Sequence, residues 1–209
     1  DDSAAQPANW KGNNHLARLD WKLGDNHTLS GFIYALEIDE RGAWSPNKSV
    51  NNSTDTYGVD YSGNLGPVAV KAAYATQSDA GDSDLDYDAD YYMLEGAMSS
   101  AGISGKLGYE VLGADNGVGF KTPLATAHKF QGWADKFLTA PGDGIEDLYL
   151  GVTGNLGPVK LGAFYHDFSA EDSSEDFGTE WDLVGTWPIS KQFSTQLKYA
   201  NFSSDSDRY

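Results

Sequence analysis

The strongest constraint on the fold of this chain is an apolar and polar alternation of period two that recurs along its whole length. In residues 16–23, Ala17, Leu19, Trp21 and Leu23 alternate with Arg18, Asp20 and Lys22. Tyr57, Val59 and Tyr61 alternate with Gly58, Asp60 and Ser62, and Ile103, Leu107, Tyr109 and Val111 with Ser104, Lys106, Gly108 and Glu110. Successive side chains of an extended strand point to opposite sides, so each such segment has one apolar and one polar face. Ten segments read this way: 16–23, 29–38, 57–62, 68–74, 92–98, 103–111, 148–152, 159–166, 181–187 and 193–199. Helical periodicity is confined to one loop.

The connections alternate as well. Short turns around Gly24, Gly63, Ser100, Gly154 and Pro188 are interleaved with long polar stretches at 39–53, 77–89, 113–145 and 169–178. Two short turns carry the same hexapeptide, GNLGPV, beginning at Gly63 and again at Gly154. Gly and Asn can supply positive φ for a reversal, and Pro stiffens the exit where no ladder donor is needed. Tight turns at one rim and long loops at the other are what an up-and-down barrel in an outer membrane requires. Strands of about nine to eleven residues suit a tilted crossing of a bilayer. A soluble β-sandwich or lipocalin-like barrel also alternates, but five short-turn hairpins in a row give no Greek-key crossover signal.

Composition narrows the function classes. Fourteen Lys and Arg stand against 31 Asp and Glu, which excludes nucleic-acid binding through a general basic surface. With no cysteine there is neither a disulfide framework nor a thiolate metal site. Aromatics make up 13% of the chain, and no run approaches the apolar length of a spanning helix, a test that a barrel evades because its strands alternate. Tyr57, Tyr61, Tyr74, Tyr92, Tyr109, Tyr165, Trp181, Trp187, Phe193 and Tyr199 sit near strand ends on the apolar phase, where interfacial girdles belong.

The stretch GFKTPLATAHKFQGWADKFLTAPGDGIEDLYL, residues 119–150, is similar to a signature of the alginate-export-like outer-membrane porins of Gram-negative bacteria. Thr122, Pro123, Leu124, His128, Lys129, Gly132, Trp133, Ala134, Asp135, Lys136 and Phe137 carry the resemblance, and the flanking hairpins and the opening QPANWKGNNHLARLDW extend it over most of the chain. It implies a transport barrel larger than ten strands, with residues 1–209 a single barrel domain forming its C-terminal portion. The polar tail NFSSDSDRY, in place of a terminal aromatic strand, adds the expectation that at least one further strand completes the cylinder.

Three groups of residues are candidates for function. If the apolar phase meets lipid, the opposite phase turns Arg18, Lys22, Lys71, Lys106, Lys160 and Lys198 to the lumen, with Asp20, Asp60, Glu95, Glu110, Glu180 and Asp182. Such a basic ladder can draw anions inward, and cross-strand ion pairs would equally well solvate a water-filled interior. The loop 113–145 is longer than a passive connection needs. Leu124, Phe130, Trp133, Phe137 and Leu138 give it a short amphipathic helical pattern. Folded inward it would constrict the channel, with His128, Lys129, Trp133 and Lys136 touching the solute; the other reading is a cap on the barrel mouth. Asp82, Asp84, Asp86, Asp88 and Asp90 fall at every second residue of an acidic loop, where carboxylates suit Ca²⁺ or Mg²⁺ as a site or as a bridge to lipopolysaccharide.

Histidines 15, 27, 128 and 166 are scattered and neither HExxH nor GxSxG occurs, so no enzyme is expected. The sequence therefore predicts an all-β, antiparallel, up-and-down transmembrane barrel in the bacterial outer membrane. Its expected task is passive passage of small hydrophilic or anionic solutes, oligosaccharides among them. A surface barrel that only anchors acidic loops is the rival from another class.

Overall fold

A computed structural model describes residues 11–39, 50–125, 128 and 130–209. Ten long strands form one antiparallel sheet: β1 Gly12–Lys22, β2 His27–Ile38, β3 Thr54–Leu65, β4 Val68–Asp79, β5 Asp88–Ser100, β6 Ile103–Leu112, β9 Ile145–Leu156, β10 Val159–Ser169, β11 Asp176–Pro188 and β12 Ser194–Ser204. Two further pieces, β7 Ala114–Asp115 and β8 Val118–Gly119, make a small hairpin at the root of the longest loop. Every long strand pairs with its sequence neighbour, β6 passing directly to β9, so the topology is up-and-down throughout. Strands β1 and β12 are the edges of the sheet and do not pair with each other.

The short turns explain the repeated hexapeptide. Leu65 pairs Val68 and Leu156 pairs Val159, leaving Gly-Pro as a two-residue loop each time. Gly66 and Gly157 take positive φ, +63° and +58°, and the proline fixes the next residue. The reversal is made by this second glycine, while Asn64 and Asn155 stay inside their strands instead of supplying the left-handed residue.

The two faces of the sheet separate as the alternation requires. Leu19 is 77% exposed and Leu107 57%, and Leu94, Leu150, Leu161 and Leu183 are exposed with them, whereas the fifteen buried apolar residues lie elsewhere. An apolar stripe of this extent is unaccountable against water and natural against hydrocarbon. Aromatics flank it. Across neighbouring strands Tyr74 pairs with Tyr92, and the Tyr92 and Tyr109 rings lie 6.2 Å apart near the long-loop side. Tyr165 and Trp181 continue that row at 5.0 Å, and Trp21, Trp187 and Phe193 stand exposed toward the short turns.

The opposite face carries most of the buried residues, Val111 at the loop end of β6 being an exception. Ala75, Leu112, Ile145 and Phe168 come from the strands, Tyr87, Phe120 and Phe137 from the loops, and they form one cluster at the long-loop end. A bulge where Phe168 and Ser169 lose register with Gly178 and Asp176 turns Phe177 inward to join it. Among the described residues there is no α-helix; the helical pattern read in the long loop does not form.

Candidate functional site

The long loop lies on the polar face of the sheet, and three sets of wall residues hold it there. At its start, the buried amide of Gln77 on β4 receives the backbone N–H of Lys121 at 2.7 Å and donates to the Lys121 carbonyl at 2.9 Å. Thr56 and the Tyr87 hydroxyl satisfy the rest of that amide. A buried polar group so completely paired costs nothing to keep and fixes the backbone it grips.

In the middle, Gln131 and Gly132 both take positive φ, +50° and +79°. That left-handed pair turns the next two N–H groups toward the wall, an arrangement suited to an anion. Glu180 on β11 occupies it: the Trp133 and Ala134 amides both donate to its Oε1, the latter at 2.8 Å, and Trp133 also reaches Asp182 Oδ2 at 3.1 Å. A β-carbon on Gly132 would stand 2.6 Å from the Glu180 carboxyl carbon, so only glycine fits against it. The Gln131 side chain adds a bond to Glu110 Oε2 at 2.9 Å, and Tyr91 bonds the other oxygen. These wall carboxylates take the amides that a helix would have used internally, which is why the amphipathic pattern stays irregular.

At its end, Phe137 sits among Phe168, Phe177, Phe202 and Tyr209, with centroids 4.7 to 5.8 Å away. Arg208 closes this end by a two-pronged bond to Asp143 at 2.8 and 3.0 Å and a contact to Glu175. The polar tail is thus a clamp on the loop. The Arg208 guanidinium holds the Asp143 carboxyl below its ordinary value. The clamp is therefore fully present above the usual aspartate value of about 4 and is lost as pH falls through the depressed one. Exchange of the Glu171 and Asp172 amides, which bond the Asp143 carbonyl, is expected to quicken in Arg208→Ala at neutral pH and to match the parent in strong acid. Equal protection at neutral pH would show that the tail does not restrain the loop.

The residues expected at a constriction divide. Trp133 packs on Phe164 at 5.3 Å beneath Lys198, whose ammonium is 4.5 Å from its ring centre. Lys136 lies over Phe202 and His128 bonds Asp135 at 2.7 Å on an exposed turn. Lys129 lies outside the described residues. Among its described residues the loop is thus fastened to inner-phase side chains at its start, middle and end.

The wall residues divide too. Arg18 pairs with Asp60 and Asp20, and Lys71 and Lys106 both reach Glu95, at 3.2 and 3.3 Å. Lys22 and Lys160 are exposed near the short turns. Glu180 and Asp182, expected to line the pore, face inward but are fully buried under the loop, because they serve as its anchor. His166 lies between Asp147, 2.9 Å from Nδ1, and Asp182, 3.9 Å from Nε2. Asp82, Asp84, Asp86 and Asp88 are exposed while Leu85, Tyr87 and Ala89 between them turn inward, and no three His, Asp or Glu among the described residues gather as a metal site.

Sequence reasoning missed the anchor formed by Glu180 and Asp182 and the grip of Gln77. A signal existed for the first: two acids, Glu180 and Asp182, on the inward phase of one strand.

No family model matches the sequence, and no curated protein matches it. Among solved structures the fold is similar to that of OccK10 (OpdN) of Pseudomonas aeruginosa, an outer-membrane porin, with a TM-score of 0.61 at 13% identity over 93% of this chain. The chain spans 55% of the length of that protein. The likeness is one of porin-type barrel fold and does not single out the alginate-export proteins.

Proposed function

We propose that the chain forms the wall and the constriction loop of a passive channel in the bacterial outer membrane. The observation that carries this reading is the pairing of an exposed apolar belt on one face with a charged opposite face onto which a loop is fastened. Further strands complete the cylinder, because the free edges of β1 and β12 would otherwise leave backbone groups unpaired in hydrocarbon.

The distribution of charge supports small anionic solutes, acidic sugars among them. In the sequence acids and bases on the inward phase are equal in number, but they are not equally accessible. Lys71 is 62% exposed where its partner Glu95 is 13% exposed, and Lys22, Lys160 and Lys198 are open while Glu180 and Asp182 are covered. The face left to water is therefore more basic than the composition, and a narrow water-filled passage amplifies that bias.

Planar-bilayer recording with the intact protein tests the reading. Ohmic steps with a preference for chloride over potassium are expected, and deletion of residues 122–138 is expected to widen them. A folded protein that leaves the bilayer sealed would reject the channel in favour of a surface anchor. Steps unchanged by the deletion would remove the loop from the conduction path.

A further inference from the structure

Between the loop and strands β1 to β6 the fold forms a half-open cavity of about 600 Å³. That volume lies within the range of small-molecule sites, which is about 300 to 1,000 Å³. Its lining is mostly apolar, with Phe32, Leu36, Leu112, Phe120, Phe137 and Leu138 among the walls. Among the described residues its charged groups are two, Lys121 and Glu110.

Those two are not equivalent. Each carboxylate oxygen of Glu110 already accepts a bond, one from the Tyr91 hydroxyl and one from the Gln131 amide, which commits that group to the wall. The Lys121 ammonium has no ion-pair partner among the described residues, and burial pushes it down from the usual lysine value with no acid opposing the shift. Its backbone, meanwhile, is gripped on both sides by Gln77, a fully buried glutamine. A cation carried into an apolar recess without a counter-ion is a standing cost, and a ligand that brings the missing charge removes it.

We propose that this cavity is a binding site for amphipathic organic anions, an aromatic or short aliphatic body lodging among Phe32, Leu36, Phe120 and Phe137 with one anionic group on Lys121. The inference rests on the reading of the inner face as an aqueous lumen, since that is the route by which such a molecule would arrive. It makes the channel selective within the anions: compact inorganic ions pass, and anions with an apolar body dwell.

Equilibrium titration of the intact protein in an uncharged maltoside detergent decides the matter independently of conduction. Naphthalene-2-sulfonate is the anionic probe and naphthalene-2-methanol its neutral counterpart. One saturable site is expected for the sulfonate, weakened about tenfold or more in Lys121→Gln, the size of a lost charge-assisted hydrogen bond, and largely restored in Lys121→Arg. The alcohol is expected to bind both proteins within about twofold of each other, because it lacks the charge that Lys121 reads. No saturable sulfonate binding, or equal binding in Lys121→Gln, would overturn the proposal. In bilayers the sulfonate should produce resolvable interruptions of current that vanish in Lys121→Gln; conduction without interruptions overturns this inference and leaves the channel standing, whereas a sealed bilayer with intact titration does the reverse.

Discussion

Gly132→Ala will free the long loop from the inner wall and raise the single-channel conductance. Two costs act together at this position. The residue sits at φ +79°, where an alanine is strained by about 1 to 2 kcal/mol. Its β-carbon would also stand 2.6 Å from the Glu180 carboxyl group, which must then retreat from the amides it accepts. Glu180 is fully buried, so it cannot turn to water, and the loop is the more yielding partner. Each of the two amides left without an acceptor costs a further 1 kcal/mol or so. The anchor on Gln77 and the cluster around Phe137 remain, so the protein still folds and the middle of the loop lifts. Glu180→Gln should do less, since its side-chain oxygen can still accept both bonds. A conductance unchanged in Gly132→Ala, with hydrogen exchange at Trp133 and Ala134 also unchanged, would show that the anchor does not hold the loop.

The contrast between that anchor and the strands shows which parts of the molecule were legible in the sequence. Strand identity was, because the bilayer leaves a two-state code on every strand: Leu107 and Leu161 meet hydrocarbon, Lys106 and Lys160 the opposite side. Five of the nine pairings followed from the short turns, which leave no room for any partner except the adjacent strand; the other four cross long connections. The direction of the loop was not legible. Its contacts join residues far apart in sequence, such as Trp133 to Asp182 and Gln77 to Lys121, and nothing local to either partner specifies the other.

The failed helix has the same origin. Phe130, Trp133 and Phe137 have the spacing of a helical face, but Gly132 and the left-handed Gln131 and Asp135 interrupt it, and wall carboxylates compete for its amides. The acidic run is a different case. Alternation puts the aspartates on one side, and the same alternation buries Tyr87 and Ala89 on the other, so the run also serves to pack the loop. Period two says that side chains share a side; it does not say that they converge.

Leu107→Arg tests the separation of the two faces itself, and it should cost far more than the same residue placed on the inner wall. Leu107 lies at the middle of β6, opposite Leu150, with exposed Leu94 and Leu148 nearby on the same face. A charge at the midplane of a barrel's lipid face costs about 2 to 4 kcal/mol, because the guanidinium must keep water or thin the bilayer around it. Thr153 is one strand away on the opposite face, paired with Ser104 and Gly162, and an arginine there extends into the aqueous interior. Urea titration of the protein folded into phosphatidylcholine vesicles, followed by tryptophan fluorescence, should therefore show a large loss of stability for Leu107→Arg and a change under about 1 kcal/mol for Thr153→Arg, the usual range for surface substitutions. The asymmetry is the diagnostic, since a soluble sheet covered on its apolar side by protein would lose its fold outright in detergent-free buffer with Leu107→Arg and gain nothing from lipid. Equal stability of the two variants in vesicles would place both residues in water and remove the bilayer from the explanation of this fold.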